Sequence, residues 1–172
     1  MGGSGSGGGG YAGKKAVEDG FTLNINLITK KEQGGIRPRI SKLSWLRDGK
    51  RIGSIGYEFM LRNGMTFLVL NYRTGGESVQ EIIQVVSTPQ PYGNQRYWML
   101  CPVSLKGGGR CNRRCYKMYC PPGKRGFGCR MCMNLTYQSC KDSHKFDGLF
   151  ASVASDLGIS PSLVKAAFRN NN

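Results

Sequence analysis

The chain has 172 residues, 39% of them hydrophobic, with 25 Lys and Arg against 10 Asp and Glu for a formal charge of +15. Such a length holds one compact domain or two small ones, with a modest core that a staple such as a metal ion would reinforce. The charge points to nucleic acid, an anionic membrane or an acidic protein face, while the longest apolar runs, such as Phe67–Leu70, are strand-sized and exclude a helical membrane span.

Residues 1–16 read as a flexible tail, because everything from Gly2 to Gly10 is Gly or Ser. Met1–Gly10 has neither the basic nor the apolar region of a secretory signal, so the cytoplasm is the expected compartment. Residues 17–97 read as an antiparallel β domain. Phe21, Leu23, Ile25 and Leu27 alternate with polar residues, which predicts a strand over Phe21–Ile28. A helical turn over Leu27–Gln33, stopped by Gly34-Gly35, is the alternative. Strands follow over Ile40–Leu46, Arg51–Phe59, Met65–Tyr72, Val79–Val86 and Gln95–Leu100. The turn signals Asp48-Gly49, Asn63-Gly64 and Gly75-Gly76 join the first four of these, and Thr88–Gly93 is a Pro-containing loop.

Residues 98–140 read as a zinc ribbon. Cys101 to Cys132 holds six of the seven cysteines and eight Lys and Arg with no acidic residue. Clustered thiols in a chain without a secretory signal favour metal over disulfides. Cys129 and Cys132 form a Cys-x-x-Cys turn, whose two sulfurs can both approach one ion to about 2.3 Å. Cys101, at a strand end before Pro102, and Cys111, after a long insertion eased by Gly107–Gly109, supply the other two ligands. Tyr116, Met118, Tyr119 and Phe127 lie between the two knuckles and can cover the metal. Cys115, Cys120 and Cys140 are alternative ligands, and Cys111 and Cys115 are close enough to share an ion. His144, the one histidine, reads as an exposed linker residue. Four cysteines with no His or carboxylate make a closed structural zinc site rather than an open catalytic one.

Several residues together carry a resemblance. They are Gly2–Gly10, Lys14-Lys15, Val17-Glu18-Asp19, Trp45, Asp48-Gly49, Gly53-Ser54-Ile55, Leu70, Tyr72, Trp98, Cys101-Pro102, Cys111, Arg113-Arg114, Tyr119, Cys129-Arg130, Cys132 and Leu135-Thr136-Tyr137. Over roughly residues 1–140 the chain resembles a widespread bacterial and phage zinc-ribbon protein family with no assigned activity. The resemblance implies that the Gly-rich start is native rather than an expression tag. It also implies the ligand set Cys101, Cys111, Cys129 and Cys132. Cys115, Cys120 and the long first knuckle depart from the family pattern.

Residues 146–169 read as a helix pair. Leu149, Phe150, Val153, Ala154 and Leu157 recur at helical spacing, and Gly158 can take the left-handed turn that ends the helix. Ser160 as N-cap and Pro161 at the first position start a second helix, with Leu163, Val164, Ala167 and Phe168 as its apolar face. Ala154, Gly158 and Val164 fall at helix-turn-helix spacings, which would put Ser162, Lys165 and Arg169 in a DNA groove. A plain helical hairpin is the alternative.

The expected fold is therefore α+β: an antiparallel meander, a four-cysteine zinc ribbon and a helix pair. Arg110, Arg113, Arg114, Lys117, Lys124, Arg125 and Arg130 would meet phosphates, and Tyr116, Tyr119 and Phe127 would stack on bases where exposed. With no carboxylate pair, Ser/His/Asp set or phosphate loop, the expectation is a zinc-stabilised, non-enzymatic nucleic-acid-binding protein, with DNA favoured over RNA, of which a regulator is one form. The second expectation is a phage or mobile-element accessory protein that binds an acidic protein partner and inhibits a host protein or nucleoprotein complex.

Overall fold

The structure, a computed structural model, describes residues 13–29, 36, 40–91, 93, 95–142 and 146–169. The Gly-rich stretch Met1–Gly10, Gly34-Gly35 and His144 lie outside the described residues, as does the Arg169 side chain. The elements in order are β1 (Lys15–Ala16), a 3-10 turn (Val17–Asp19), β2 (Phe21–Asn24), α1 (Ile25–Thr29), β3 (Ile40–Arg47), β4 (Lys50–Arg62) and β5 (Met65–Thr74). They continue with β6 (Glu77–Pro89), β7 (Gln95–Leu100), β8 (Arg114–Cys115), β9 (Lys117–Cys120), β10 (Leu135–Thr136), α2 (Gln138–Asp142), α3 (Asp147–Leu157) and α4 (Pro161–Arg169). The fold is thus mixed α+β. It divides into two compact units, Val17–Leu135 and one built from residues 1–16 with 136–172.

The larger unit centres on a six-stranded antiparallel sheet in the order β3-β4-β5-β6-β7-β8. Its hairpins are set by local chemistry. Asp48-Gly49 and Asn63-Gly64 take positive φ at both residues (51° and 73°, 51° and 70°), as do Gly75 and Gly76 (58° and 84°). Such two-residue turns match the right-handed twist of the strands they join. β6 runs through Pro89, longer than the expected Val79–Val86, which shortens the loop read at Thr88–Gly93. The sheet gains a sixth strand from the cysteine segment, where Cys115 pairs with Met99 and Arg114 with Leu100.

The expected strand over Phe21–Ile28 is corrected. It stops at Asn24, whose Oδ1 accepts the Asn26 N–H at 3.1 Å and caps α1. Ile25 and Ile28, three apart on that helix, are both fully buried. β2 itself pairs with β9 in the register Phe21↔Cys120 to Asn24↔Lys117. The approach is close enough that a Cβ on Gly20 would sit 2.6 Å from the Cys120 carbonyl oxygen, so no side chain fits there. A single core therefore runs from the sheet (Tyr57, Phe59, Leu68, Leu70, Ile83, Met99) into the cysteine segment (Cys101, Met118, Phe127, Cys129). What the sequence divides into a β domain and a ribbon buries its apolar side chains in common.

In the second unit α3 ends at Gly158 (φ 64°). Its own N–H reaches the Ser155 carbonyl at 3.3 Å and the Ile159 N–H reaches that of Ala154 at 3.0 Å, the left-handed cap the sequence predicts. The Ser160 hydroxyl meets that of Ser162 at 2.8 Å. α3 and α4 face each other through Ala154 and Val164, both buried, and through the Phe150 and Phe168 rings at 5.4 Å. The expected apolar face of α4 is buried at Val164 alone: Leu163 and Phe168 are 60% and 61% exposed. No helix among the described residues is long and apolar enough to cross a membrane.

Candidate metal centre

Two short loops bring four sulfurs together. The first is a hairpin. The Cys111 N–H bonds the Val103 carbonyl at 2.9 Å, Ser104 bridges Arg110, and the Leu105 N–H bonds the Gly109 carbonyl at 3.0 Å. The insertion between Cys101 and Cys111 is therefore an ordered β-turn, made possible by positive φ at Gly108 and Gly109. Below it the Cys101 N–H bonds the Arg113 carbonyl, and the Asn112 N–H returns to the Cys101 carbonyl, at 3.0 and 3.1 Å. The hairpin thus closes with Cys101 and Cys111 side by side. The second loop is the Cys129–Cys132 turn, held by N–H bonds from Met133 to the Cys129 carbonyl and from Leu135 to the Arg130 carbonyl, both 3.0 Å.

The sulfurs of Cys101, Cys111, Cys129 and Cys132 all lie within 4.8 Å of one another, and Cys111 and Cys129 are 4.0 Å apart. Sulfurs about 2.3 Å from one tetrahedral ion would be about 3.8 Å apart, so a small contraction would complete the sphere. Cys101, Cys111, Cys129 and Cys132 are all free thiols. Backbone donors already point at the sulfurs: the Cys129 N–H at Cys101 Sγ (3.2 Å) and the Cys132 N–H at Cys129 Sγ (3.4 Å). Arg113 Nη1 adds a charged donor 3.8 Å from Cys129 Sγ. Burial pushes the Cys129 thiol up, but hydrogen bonds from the Cys132 N–H and the neighbouring thiols outweigh it and bring the group to about 7. Cys101 and Cys132 are raised, first by burial and then by the sulfurs around them. Clustered thiols cannot all ionise unless a cation sits among them, and a divalent ion supplies that charge.

The remaining cysteines stand outside the quartet. Cys115 adjoins it, but its Sγ donates to the Arg113 carbonyl at 3.3 Å, and burial with nearby sulfur charge pushes it up to about 12. Cys120 donates to the Lys124 carbonyl at 3.4 Å, and burial raises it too. Both behave as small apolar core residues with one hydrogen bond. Cys140 lies on α2 in the other unit.

The basic residues divide. Arg110, Arg113, Arg114 and Lys124 are exposed, while Lys117 and Arg130 are half-buried. Arg125 is exposed but ion-paired with Glu77 at 2.7 Å. Lys165 forms a 2.6 Å ion pair with Asp147 across the helix pair, and Ser162 is exposed. Of the aromatics expected to stack on bases, Tyr116 is exposed. Tyr119 and Phe127, at 7% and 2% exposed, do not meet the condition of exposure. Phe127 instead packs against Trp45, ring centroids 6.2 Å apart, because its loop folds back onto the sheet.

Glu81, which the sequence reading passes over, holds that loop. Its carboxylate accepts the Phe127 N–H at 3.0 and 3.1 Å, and the Tyr72 hydroxyl stands 3.1 Å from it and 2.6 Å from the Arg125 carbonyl. The sequence signal was an acid in the middle of β6, flanked by Val79 and by Ile82-Ile83.

Comparison with models of protein families, with curated proteins and with solved structures finds no match to this chain.

Proposed function

We propose that the four cysteines hold a structural zinc ion, and that the protein binds nucleic acid, DNA before RNA, without catalysing a reaction. The observation that carries this reading is the joining of two features on one segment. The sulfur quartet has the spacing and the N–H donors of a closed thiolate site. Arg110, Arg113 and Arg114 are exposed on the same stretch, with Arg113 tied to a ligand sulfur. Zinc suits four thiolates in a tetrahedron and needs no open position. In this reading the segment is a zinc ribbon: the metal fixes a surface from which guanidinium forks meet phosphates. Free thiols in such number fit the reducing cytoplasm.

The direct test is duplex DNA binding by fluorescence anisotropy, on protein of known zinc content, at low and near-physiological salt. Tight binding that weakens steeply with salt is expected. No binding at low salt by zinc-loaded protein would end the proposal. Arg113→Ala with Arg114→Ala should weaken binding about equally on all sequences and lower the salt slope by about 2, one for each lost phosphate contact. A loss confined to one sequence would make these arginines readers of bases.

The helix pair is the second element of the proposal, as a helix-turn-helix unit with Ser162 and Arg169 toward a groove. Lys165 would have to leave Asp147 to join them. Deleting residues 146–172 should leave zinc content and cooperative melting intact while removing sequence preference. Unaltered preference would take the pair out of recognition. One observation favours a protein partner instead: Leu149, Leu157, Leu163 and Phe168 are all more than half exposed on this pair. A pull-down that recovers a stoichiometric protein, unaffected by nuclease, would support that accessory-factor reading.

A further inference from the structure

A cavity of about 370 Å³ opens in the larger unit between the end of β3, the end of β5 and the Pro121–Lys124 turn. Its size falls in the range of small-molecule sites, roughly 300–1,000 Å³. The lining is unusual for a chance surface dent. Phe21, Trp45, Tyr72 and Phe127 supply aromatic carbon, and Arg47, Arg73 and Lys124 supply three cations from three separate elements. Asp19 is the one acidic side chain in that lining.

The walls are preorganised. Trp45 Nε1 donates to the Thr22 carbonyl at 2.8 Å, and the Tyr72 hydroxyl is held by the Arg125 carbonyl and Glu81. Both polar handles are spent on the protein, which fixes each ring about its polar edge. Phe21 packs on Trp45 at 4.8 Å and rests over Gly53, where a Cβ would meet its ring at 2.8 Å. Phe127 forms the floor. The cations keep donors to spare. Arg47 touches the Glu18 carbonyl at 3.5 Å and Arg73 that of Gly76 at 3.1 Å, contacts that occupy one nitrogen of each fork. Lys124 is exposed on a turn fixed by its own N–H to the Pro121 carbonyl and by the Cys120 thiol.

Fixed aromatic walls favour a flat, polarisable group, and a rim with three cations favours an anion attached to it. We infer that this cavity binds a nucleotide, with the base against the aromatic walls and the phosphate on the Arg47, Arg73 and Lys124 rim. The nucleotide is either free or an unstacked member of a single strand, since the faces of a base stacked within a duplex are covered and cannot reach the aromatic walls. The inference therefore stands apart from the metal centre and from duplex binding by the arginines beside it.

Trp45 provides the readout. In a Trp98→Phe background it is the one remaining tryptophan. Its emission is titrated with AMP, adenosine, inorganic phosphate and a short oligothymidylate. Saturable quenching by AMP or by the oligonucleotide, half-complete below about 1 mM, is expected. Adenosine should bind about tenfold more weakly than AMP, and phosphate alone should not quench. Stronger binding of the strand than of AMP would identify the single strand as the source, and equal binding the free nucleotide; either supports the site. Ile52→Glu places a negative charge on a half-exposed lining position. It should reduce binding about tenfold or more, as should Arg73→Ala with Lys124→Ala, with melting temperature and zinc content unchanged. No saturable quenching by either ligand would overturn the inference, as would affinities indifferent to these changes in folded protein. Preferential saturation by an acidic aromatic peptide would also overturn it, as the mark of a peptide pocket. Duplex binding by anisotropy should survive Ile52→Glu, so the two proposals fail separately.

Discussion

If the four cysteines hold zinc as proposed, Cys129→Ser is expected to release it and to unfold the segment from Cys101 to Leu135. Cys129 is 2% exposed, and its sulfur receives the Cys132 N–H and the Arg113 guanidinium while its own N–H serves Cys101 Sγ. One substitution therefore removes one sulfur of the quartet and unsettles two others. Structural zinc in small thiolate sites contributes on the order of 10 kcal/mol at neutral pH, which matches the whole stability of a typical domain, about 5–15 kcal/mol. Because β7–β8 pairing and β2–β9 pairing both run through this segment, the loss should spread into the sheet. Metal content by atomic emission, with near-ultraviolet circular dichroism, measures it. Full metal content in the variant would remove Cys129 from the ligand set. Cys115→Ser is the control, and should keep the metal because its thiol faces the Arg113 carbonyl.

The second large effect is expected at Glu81. Glu81→Ala leaves the Phe127 N–H without its acceptor and frees the Tyr72 hydroxyl on one side. An unsatisfied half-buried donor costs about 1–3 kcal/mol, more where the lost partner is charged, so the melting temperature should fall by about 5–10 °C. An unchanged melting temperature would show that the loop is held by Phe127 packing alone. Glu81 also gives stability a pH slope. Burial lifts its pKa above the ordinary 4.5, against the Phe127 N–H and Tyr72 bonds that lower it. Folding then favours the protonated form, so this contribution is greatest on the acid side and is lost as pH rises through the raised value. Glu81→Gln should flatten the slope in melting curves taken from pH 4.5 upward.

The hairpins were legible because their instructions are local: Asp48-Gly49 and Asn63-Gly64 specify a turn without reference to anything distant. The cysteine quartet was legible for a similar reason, since Cys129 and Cys132 share a turn and Cys101 ends a strand. The parts that escaped depend on long-range contact or on a competing local signal. At Phe21–Leu27 a period of two masks the helix cap at Asn24, and the cap wins because Ile25 and Ile28 then both enter the core. Phe127 sits in a Gly-Phe-Gly loop whose local sequence does not say whether its ring covers the cysteines or faces solvent. The carboxylate of Glu81, 46 residues earlier, accepts its backbone N–H, and the Tyr72 hydroxyl and the Tyr119–Gly128 bridge hold the loop on either side. On α4 the spacing gives an apolar face, but not how much of it is covered: Val164 alone is buried, as an 11-residue partner helix contacts one narrow stripe.

The pairing of Phe21 with Cys120 has a temporal side. A ribosome adding about 5–20 residues per second leaves β2 waiting on the order of 10 s for its partner. The hairpins from β3 to β7 can close as they emerge, but β2 and α1 cannot. Throughout that interval Leu23, Ile25 and Ile28 lack their cover, and the thiols proposed to hold the ion lie in the part of the unit that leaves the tunnel last. Metal capture would then be the step that ends the nascent chain's exposure to aggregation, and a cell short of the ion would show it first as lost yield of newly made protein, with the existing pool intact.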